Sequence, residues 1–317
     1  MLVTADRALL GGLIDYTGLL PPASLTMQAA GDEYRRARRS PHSRMLSRFV
    51  CPASRLEELA GLLMASMRVG EAPWPVSVIL DGRVASAAVL ARNFDAEMDP
   101  AAAVVMVEVP LVEAACSAVE PVAAAHEMAP TVRAALSVSP SVTPYFEIRR
   151  TSRWPAGIAA AVAALASHRE RERRPLGAVL RCGGSDATEF PTVEEVVLFM
   201  TACRTDDLPF KATAGLERPV RHPDEDTGVM RHGFINLLVA AALCEEGADD
   251  ATIARALEEE DALAFRLGPA TVRWREVPVS ARAVRHVRHS RFASVGSSRF
   301  FEPVDELVEL GMLAGAS

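Results

Sequence analysis

The chain has a single lysine, Lys211, among its 34 lysine and arginine residues. It lies in the short apolar segment 208–216, which ends in small residues. Lysine is rarely fully buried unless it is paired or has a function, and burial makes its amine easier to deprotonate. Enzymes use a neutral amine as a nucleophile toward carbonyl carbons. The sequence therefore predicts a functional Lys211, and the alternative is a solvated lysine at the end of a strand.

Three carboxylates belong to similar apolar runs. Asp15 follows Leu13 and Ile14, Glu108 lies between two valines, and Glu147 follows a Tyr-Phe pair. A carboxylate at the end of a buried strand can orient water or relay protons. We expect Asp15 and Glu108 to be catalytic and Glu147 to contact the substrate. The alternatives are a turn or cap for Asp15, a solvated face for Glu108 and an ion pair within the strand for Glu147.

Two glycine-containing turns follow apolar runs and could bind an anion. Glycine lets backbone N–H groups approach an anion, and arginine can hold a carboxylate or phosphate with two hydrogen bonds. We therefore predict a phosphate or carboxylate site. Its expected members are Arg181, Gly183, Gly184, Gly215, Ser297 and Ser298.

Eight short apolar runs alternate with longer helical patterns. The runs are residues 13–16, 47–51, 76–80, 103–109, 145–148, 177–181, 210–214 and 292–295. The helical segments include residues 26–39, 54–67, 112–125, 158–168 and 193–204. Strands that alternate with helices favour a parallel sheet, and eight of them predict a closed (β/α)₈ TIM barrel. In such a barrel the catalytic groups lie at the C-terminal ends of the strands.

The alternation is interrupted once, between the seventh and eighth runs. We interpret residues 217–290 as an insertion in the loop after strand seven and as a candidate lid, within a single barrel domain that spans residues 1–317. His222 and His232 lie near the start of this segment, and His286 and His289 near its end. Their loose spacing favours surface or substrate contacts over metal ligation. We therefore expect neither a metal nor a cofactor.

Composition limits the possible partners. The net charge is −7 and the arginines are dispersed, so we expect no nucleic-acid partner. The five cysteines form no C-x-x-C pair, which is typical of reduced thiols in a cytoplasm. There is no signal-like N-terminus and no apolar run long enough to span a membrane. We expect a cytoplasmic protein that binds a small anionic molecule, with a homodimer as the candidate assembly.

The order of these motifs resembles the deoxyribose-phosphate aldolase family of class I aldolases. Segments 13–23, 49–52, 211–215 and 293–298 are similar to that family's first, second, seventh and eighth strands. The resemblance implies a (β/α)₈ barrel and lyase chemistry on a carbonyl compound. It also implies that the serine turn at Ser297 and Ser298 holds a substrate phosphate.

The resemblance fails at the family's reactive lysine. That residue belongs to strand six, where this chain has Val179, and Lys211 matches the family's second lysine, which tunes the first. The family's strand-four aspartate is also missing, and Glu108 is a possible substitute. Either Lys211 has become the nucleophile or the chemistry uses no imine. We expect Arg181 on the neighbouring strand to lower the pKa of Lys211, as a like charge does.

Three functional hypotheses follow. The leading one is an aldolase-like lyase that acts on a small phosphorylated or carboxylated carbonyl compound, with Lys211 as the imine-forming or acid/base residue. The second is an isomerase or hydrolase that uses the same side chains without a covalent step. The third is a barrel that has lost catalysis and binds a metabolite or a partner.

Overall fold

A computed structural model describes residues 5–66, 70–184, 186–224, 228–268 and 271–315. Eight parallel strands close into a barrel in the order β1-β13-β7-β6-β5-β4-β3-β2. Those strands are β1 Ile14–Tyr16, β2 Leu46–Pro52, β3 Trp74–Ile79, β4 Ala102–Pro110, β5 Thr143–Glu147, β6 Gly177–Arg181, β7 Phe210–Thr213 and β13 Phe292–Ser297. Each coincides with one of the eight predicted runs, so the predicted (β/α)₈ TIM barrel is confirmed.

Helices surround the barrel and connect its strands. They are α1 Ala5–Leu10, α2 Met27–Arg39, α3 Leu56–Ser66, α4 Val84–Glu97, α5 Glu113–Ser117, α6 Pro121–Leu136, α7 Trp154–Glu172, α8 Val193–Thr205, α9 Phe234–Glu245, α10 Asp250–Glu258, α11 Ala281–His286 and α12 Phe301–Glu309. Local sequence explains several starts. Thr192 and Glu195, for example, form a reciprocal capping box at the start of α8.

Within the described ranges, no helix has both the length and the apolar character needed to cross a membrane. The five cysteines are all buried and unpaired, so none of them forms a disulfide. The barrel therefore depends on packing rather than on covalent crosslinks.

One predicted helix is wrong. The segment 112–125 contains two helices, because the chain leaves the helical region between α5 and α6. Glu120 is extended, with φ −108° and ψ 129°, and Pro121 begins α6. A proline disfavours the helical conformation of the residue before it but suits the first turn of a helix. The last residue of the predicted helix 54–67 lies outside the described residues.

The segment 217–290 contributes to the barrel wall as well as to its rim. All residues of α9 except Glu245 are buried, and α9 packs on α8, α10, α11 and β13. It is therefore one of the helices of the barrel wall between β7 and β13. A segment that served only as a lid over the barrel mouth would not contain a helix that is buried on every side. The rest of the segment includes a three-stranded antiparallel sheet, β10 Phe265–Leu267, β11 Val272–Trp274 and β12 Val277–Val279.

A short antiparallel hairpin lies at the rim, formed by β8 His222–Pro223 and β9 Met230–Arg231. Next to it, His232 is buried and its Nε2 lies 2.8 Å from the carbonyl oxygen of Pro191. His286 and His289 lie at the opposite end of the barrel, because they belong to the helical segment that leads into the N-terminal end of β13. These four histidines therefore do not meet at the mouth, and the role of the segment as a lid stays a prediction for the hairpin.

Asn236 joins α9 to its neighbours and generates a prediction about stability. Its Oδ1 accepts a hydrogen bond from the Arg221 backbone, and its Nδ2 donates to the carbonyls of Ala256 and Glu259. The side chain is fully buried. Asn236→Ala leaves these groups unpaired and should lower the free energy of unfolding by roughly 2–4 kcal/mol. Urea unfolding followed by circular dichroism measures this change.

The control is Asn93→Ala, the same substitution at an exposed position of α4. It should change stability by less than about 0.5 kcal/mol. Equal losses in the two variants would show that the buried amide does not hold α9 in place.

Candidate active site

Lys211 lies in the interior of the barrel. It is on β7, its side chain is completely buried, and its Nζ donates hydrogen bonds to Asp15 Oδ2 and Glu108 Oε1, each at 2.7 Å. The partners are on β1 and β4, and neither of these strands is next to β7 in the barrel. Side chains on strands so far apart in the sheet can meet only through the barrel interior. The three predicted catalytic residues therefore form one cluster, which we call the lysine triad.

Three further side chains complete the triad's hydrogen bonds. Ser77 on β3 donates to Glu108 Oε1 at 2.8 Å, and Ser294 on β13 donates to Asp15 Oδ2 at 2.6 Å. Arg48 on β2 donates to Asp15 Oδ1 at 2.9 Å. Sequence reasoning missed these three. Ser77 and Ser294 each have apolar neighbours on both sides, which was an available signal, whereas Arg48 follows another polar residue, Ser47.

The ionisation of the triad differs from our expectation. Burial alone would lower the pKa of Lys211, but the charges of Asp15 and Glu108 and their hydrogen bonds outweigh burial and raise it. The expected lowering by Arg181 is therefore wrong, because Lys211 is next to two carboxylates. Asp15 shifts the opposite way. Burial would raise its pKa, yet Lys211 and Arg48 hold that pKa well below its ordinary value. Lys211 is an ammonium ion at neutral pH.

Two of the predicted substrate-contact residues, Glu147 and Arg181, lie at the mouth of the barrel. They are the last residues of β5 and β6 and line a polar cavity of about 390 Å³. Its other lining residues are Ile148, Arg149, Arg150, Trp154, Thr188, Glu189 and Pro191. The volume falls in the range of small-molecule sites. The cavity is at the C-terminal ends of the strands, where barrel enzymes hold their substrates.

Glu147 connects the mouth cavity to the triad electrostatically. Burial raises the pKa of Glu147 above its ordinary value; Arg181 and Arg149 lower it, and the charge of Glu108 raises it further. Arg181 Nη1 lies 3.9 Å from a Glu147 carboxylate oxygen. Glu147 is therefore a carboxyl group that keeps its proton to higher pH than a solvated glutamate.

The predicted glycine turns come together, but one already holds a carboxylate. A Cβ atom added at Gly183 would lie 3.0 Å from the Cα of Gly215, so the turns after β6 and β7 touch. A Cβ atom at Gly184 would lie 2.1 and 2.6 Å from the two carboxylate oxygens of Glu189. Glu189 thus lies where we expected an external anion. This residue was not predicted as part of the site.

The serine turn after β13 is only partly available to a ligand. Ser297 Oγ donates to the carbonyl of Arg299 at 2.7 Å. Ser298 is 1% exposed, and its Oγ has no hydrogen-bond partner in the described part of the chain. Buried hydroxyl groups are nearly always hydrogen-bonded, so Ser298 is the serine of this turn with a free donor. Its role in binding an anion stays a prediction.

No cluster of three or more His, Cys, Asp or Glu side chains within the described ranges is arranged to hold a metal ion. Models of known protein families, curated proteins and solved structures gave no match to this chain. The geometry of the barrel and of the lysine triad is therefore the basis for any functional assignment.

The triad leads to a prediction about stability and pH. Lys211→Met leaves Asp15 and Glu108 buried without their shared cation and should cost about 3–5 kcal/mol of unfolding free energy near neutral pH. The pKa of Asp15 is lower in the folded protein than in the unfolded chain, so the unfolded chain binds a proton more readily. The wild-type protein therefore loses stability as pH falls below the unfolded-state pKa of this group. In the variant, protonation instead removes an uncompensated buried charge. The difference in unfolding free energy between the wild-type protein and Lys211→Met should therefore become smaller toward acid pH.

Urea unfolding at pH 7 and at lower pH measures this difference. Arg282→Met, which removes an exposed cation on α11, is the control and should have little effect at either pH. A difference that stays constant or widens as pH falls would contradict the charged triad.

Proposed function

We propose that this protein is an aldolase-like lyase that breaks or forms a carbon–carbon bond beside the carbonyl group of a small anionic compound. We further propose that it uses acid/base catalysis and forms no imine. The observation that carries the proposal is the pairing of Lys211 with Asp15 and Glu108 at 2.7 Å each, inside a barrel whose mouth holds a polar cavity. An ammonium ion held by two carboxylates is a poor nucleophile but a good electrostatic partner.

Glu108 is the most exposed member of the triad. Its side chain is 10% exposed, whereas those of Lys211 and Asp15 are 0% exposed. Lys211 and Ser77 both donate to Glu108 Oε1, which fixes the orientation of the carboxylate. We therefore assign Glu108 as the general base and Lys211 and Asp15 as positioning residues behind it.

The cleavage step can be written with these groups. Glu108 removes the proton from a hydroxyl group β to the substrate carbonyl. The bond between the hydroxyl-bearing carbon and the α-carbon breaks, and its electron pair moves toward the carbonyl oxygen as an enolate. Arg181 stabilises this charge, and Glu147 gives its proton to the α-carbon. Transfer of a proton from Glu108 to Glu147 through water resets the site.

The substrate's anionic group has a candidate partner in Arg181. Its guanidinium lies at the mouth with 40% of its side chain exposed, and planar guanidinium groups bind carboxylates and phosphates with paired hydrogen bonds. The turns that hold Gly183 and Gly215 touch each other next to this residue's strand, and we propose that their backbone N–H groups and the Ser298 hydroxyl add hydrogen bonds to the anion. Arg181 therefore supports the choice of an anionic substrate.

The first test of this mechanism uses exchange of the α-proton with D₂O, followed by NMR, over a set of 2-oxo acids and phosphorylated ketones. The wild-type protein should catalyse exchange and reversible addition of an aldehyde. Glu108→Gln should lower the exchange rate by at least about 100-fold, the usual contribution of a general base. Glu97→Gln, at an exposed position at the end of α4, is the control and should retain full activity.

Borohydride trapping separates the mechanisms. Since Lys211 is the sole lysine, an imine on a side chain would add mass at residue 211, and we expect no such adduct. A trapped adduct at Lys211 would contradict the non-covalent mechanism. Binding of these compounds without exchange or cleavage would contradict the lyase assignment and favour a barrel that only binds its ligand.

A second prediction concerns the pH profile. The proposed acid, Glu147, must be protonated, so kcat/KM should fall as pH rises through its elevated pKa. Arg149 lowers that pKa, and so Arg149→Gln should shift the alkaline limb of the kcat/KM profile, where activity falls with rising pH, to higher pH. Initial rates measured over a pH series test this. A limb that stays in place or moves to lower pH would show that Glu147 does not control it.

A further inference from the structure

The carboxylate of Glu189 occupies a defined cradle at the mouth cavity. Its Oε1 lies 3.5 Å from Arg181 Nε, and its Oε2 accepts a hydrogen bond from the Asp186 backbone N–H at 3.2 Å. Both oxygens lie against the Cα of Gly184, where a Cβ atom would be only 2.1 and 2.6 Å from them. Glycine at position 184 therefore leaves room for a carboxylate beside the guanidinium.

The positive charge of Arg181 in this cradle already has internal carboxyl groups as partners. Arg181 is already between two carboxyl groups, Glu189 at 3.5 Å and Glu147 at 3.9 Å. Arg150 is also engaged, because it donates to Glu195 and to the Thr188 carbonyl. A ligand anion that reaches Arg181 must therefore replace an internal carboxylate or raise the local negative charge.

Glu189 is placed so that it can leave. It ends the one-turn helix Ala187–Glu189, and its side chain is 36% exposed. Leaving the cradle requires a rotation of the side chain that breaks its hydrogen bond with the Asp186 N–H, and water can replace that bond at the exposed carboxylate. Glu147, in contrast, is the last residue of a barrel strand and largely buried. Of the two internal carboxylates, Glu189 is the one that can be exchanged.

We propose that a substrate carboxylate replaces Glu189 in the cradle of Arg181 and Gly184, and that the substrates of this site are small 2-oxo carboxylic acids. A single carboxylate that replaces another keeps the charge at Arg181 unchanged, whereas a phosphate dianion adds negative charge next to Glu147. The planar guanidinium can also hold the neighbouring oxo group in the same plane. The inference rests on the proposed function, because it names the substrate class of the same site.

The test is the binding of pyruvate, as the simplest 2-oxo acid, and of inorganic phosphate, measured by calorimetry. Glu189→Gln keeps the reciprocal cap with Asp186, because glutamine serves in a capping box as glutamate does. It removes the competing charge, however. A ligand that competes with an internal group binds in proportion to the open fraction, so Glu189→Gln should tighten pyruvate binding about tenfold. Phosphate binding should remain weaker than pyruvate binding.

Two variants make this result specific. Glu170→Gln removes an exposed carboxylate on α7 and should leave pyruvate affinity unchanged. Arg181→Gln should abolish pyruvate binding in both the wild-type and the Glu189→Gln backgrounds.

Glu189→Gln could bind pyruvate no more tightly than the wild-type protein does, while wild-type binding still depends on Arg181. This result would overturn the replacement of Glu189 by a substrate carboxylate and leave the lyase proposal standing. A larger gain for phosphate than for pyruvate would overturn the carboxylic acid assignment. If pyruvate binding tightens but no carbon–carbon cleavage or α-proton exchange is observed, the exchange stands and the lyase proposal fails.

Discussion

The arrangement of the barrel interior depends on charge balance around Lys211. Two cations, Lys211 and Arg48, face two carboxylates, Asp15 and Glu108, so each of these charges has an opposite charge beside it. An isolated charge in such a place would be very costly, and each of these groups is tolerated because the others are present. The same balance explains why Lys211 is protonated and Asp15 ionised. Any substitution in this layer therefore changes the ionisation of its neighbours as well as its own contacts.

The barrel topology is what makes this layer possible. β1, β4 and β7 are far apart along the sheet, and closure brings their inward side chains together. The register supports it, because Asp15 aligns with Gly296 on β13, and Val179 on β6 aligns with Lys211. Gly296 has no side chain to compete for space, and Val179 adds no charge. The polar layer thus lies among small or apolar neighbours. These neighbours offer the carboxylates of Asp15 and Glu108 no hydrogen bonds that would compete with those from Lys211.

The sequence predicted the eight strands and the three members of the lysine triad, because an isolated charged residue in a run of apolar residues is a local signal. It could not predict the partners of Lys211, since contacts across a barrel depend on closure and register. The wrong pKa direction had this cause: Arg181 was close in strand order, but two carboxylates lay closer in space. The carboxylate of Glu189 was missed for a related reason. Its contact with Gly184 comes from a turn whose path the local sequence does not specify.

The position of Val179 determines which chemistry the triad can support. In the class I aldolases that the sequence resembles, a lysine stands there, and a second lysine tunes it. Here the residue aligned with Lys211 across β6 and β7 is apolar, and the ammonium faces carboxylates instead of another amine. A neighbouring cation favours the neutral amine that forms an imine, whereas a neighbouring carboxylate favours the ammonium ion. With an apolar residue at position 179 and two carboxylates beside Lys211, this arrangement favours proton transfer over imine formation, which is consistent with the general-base role that we propose for Glu108.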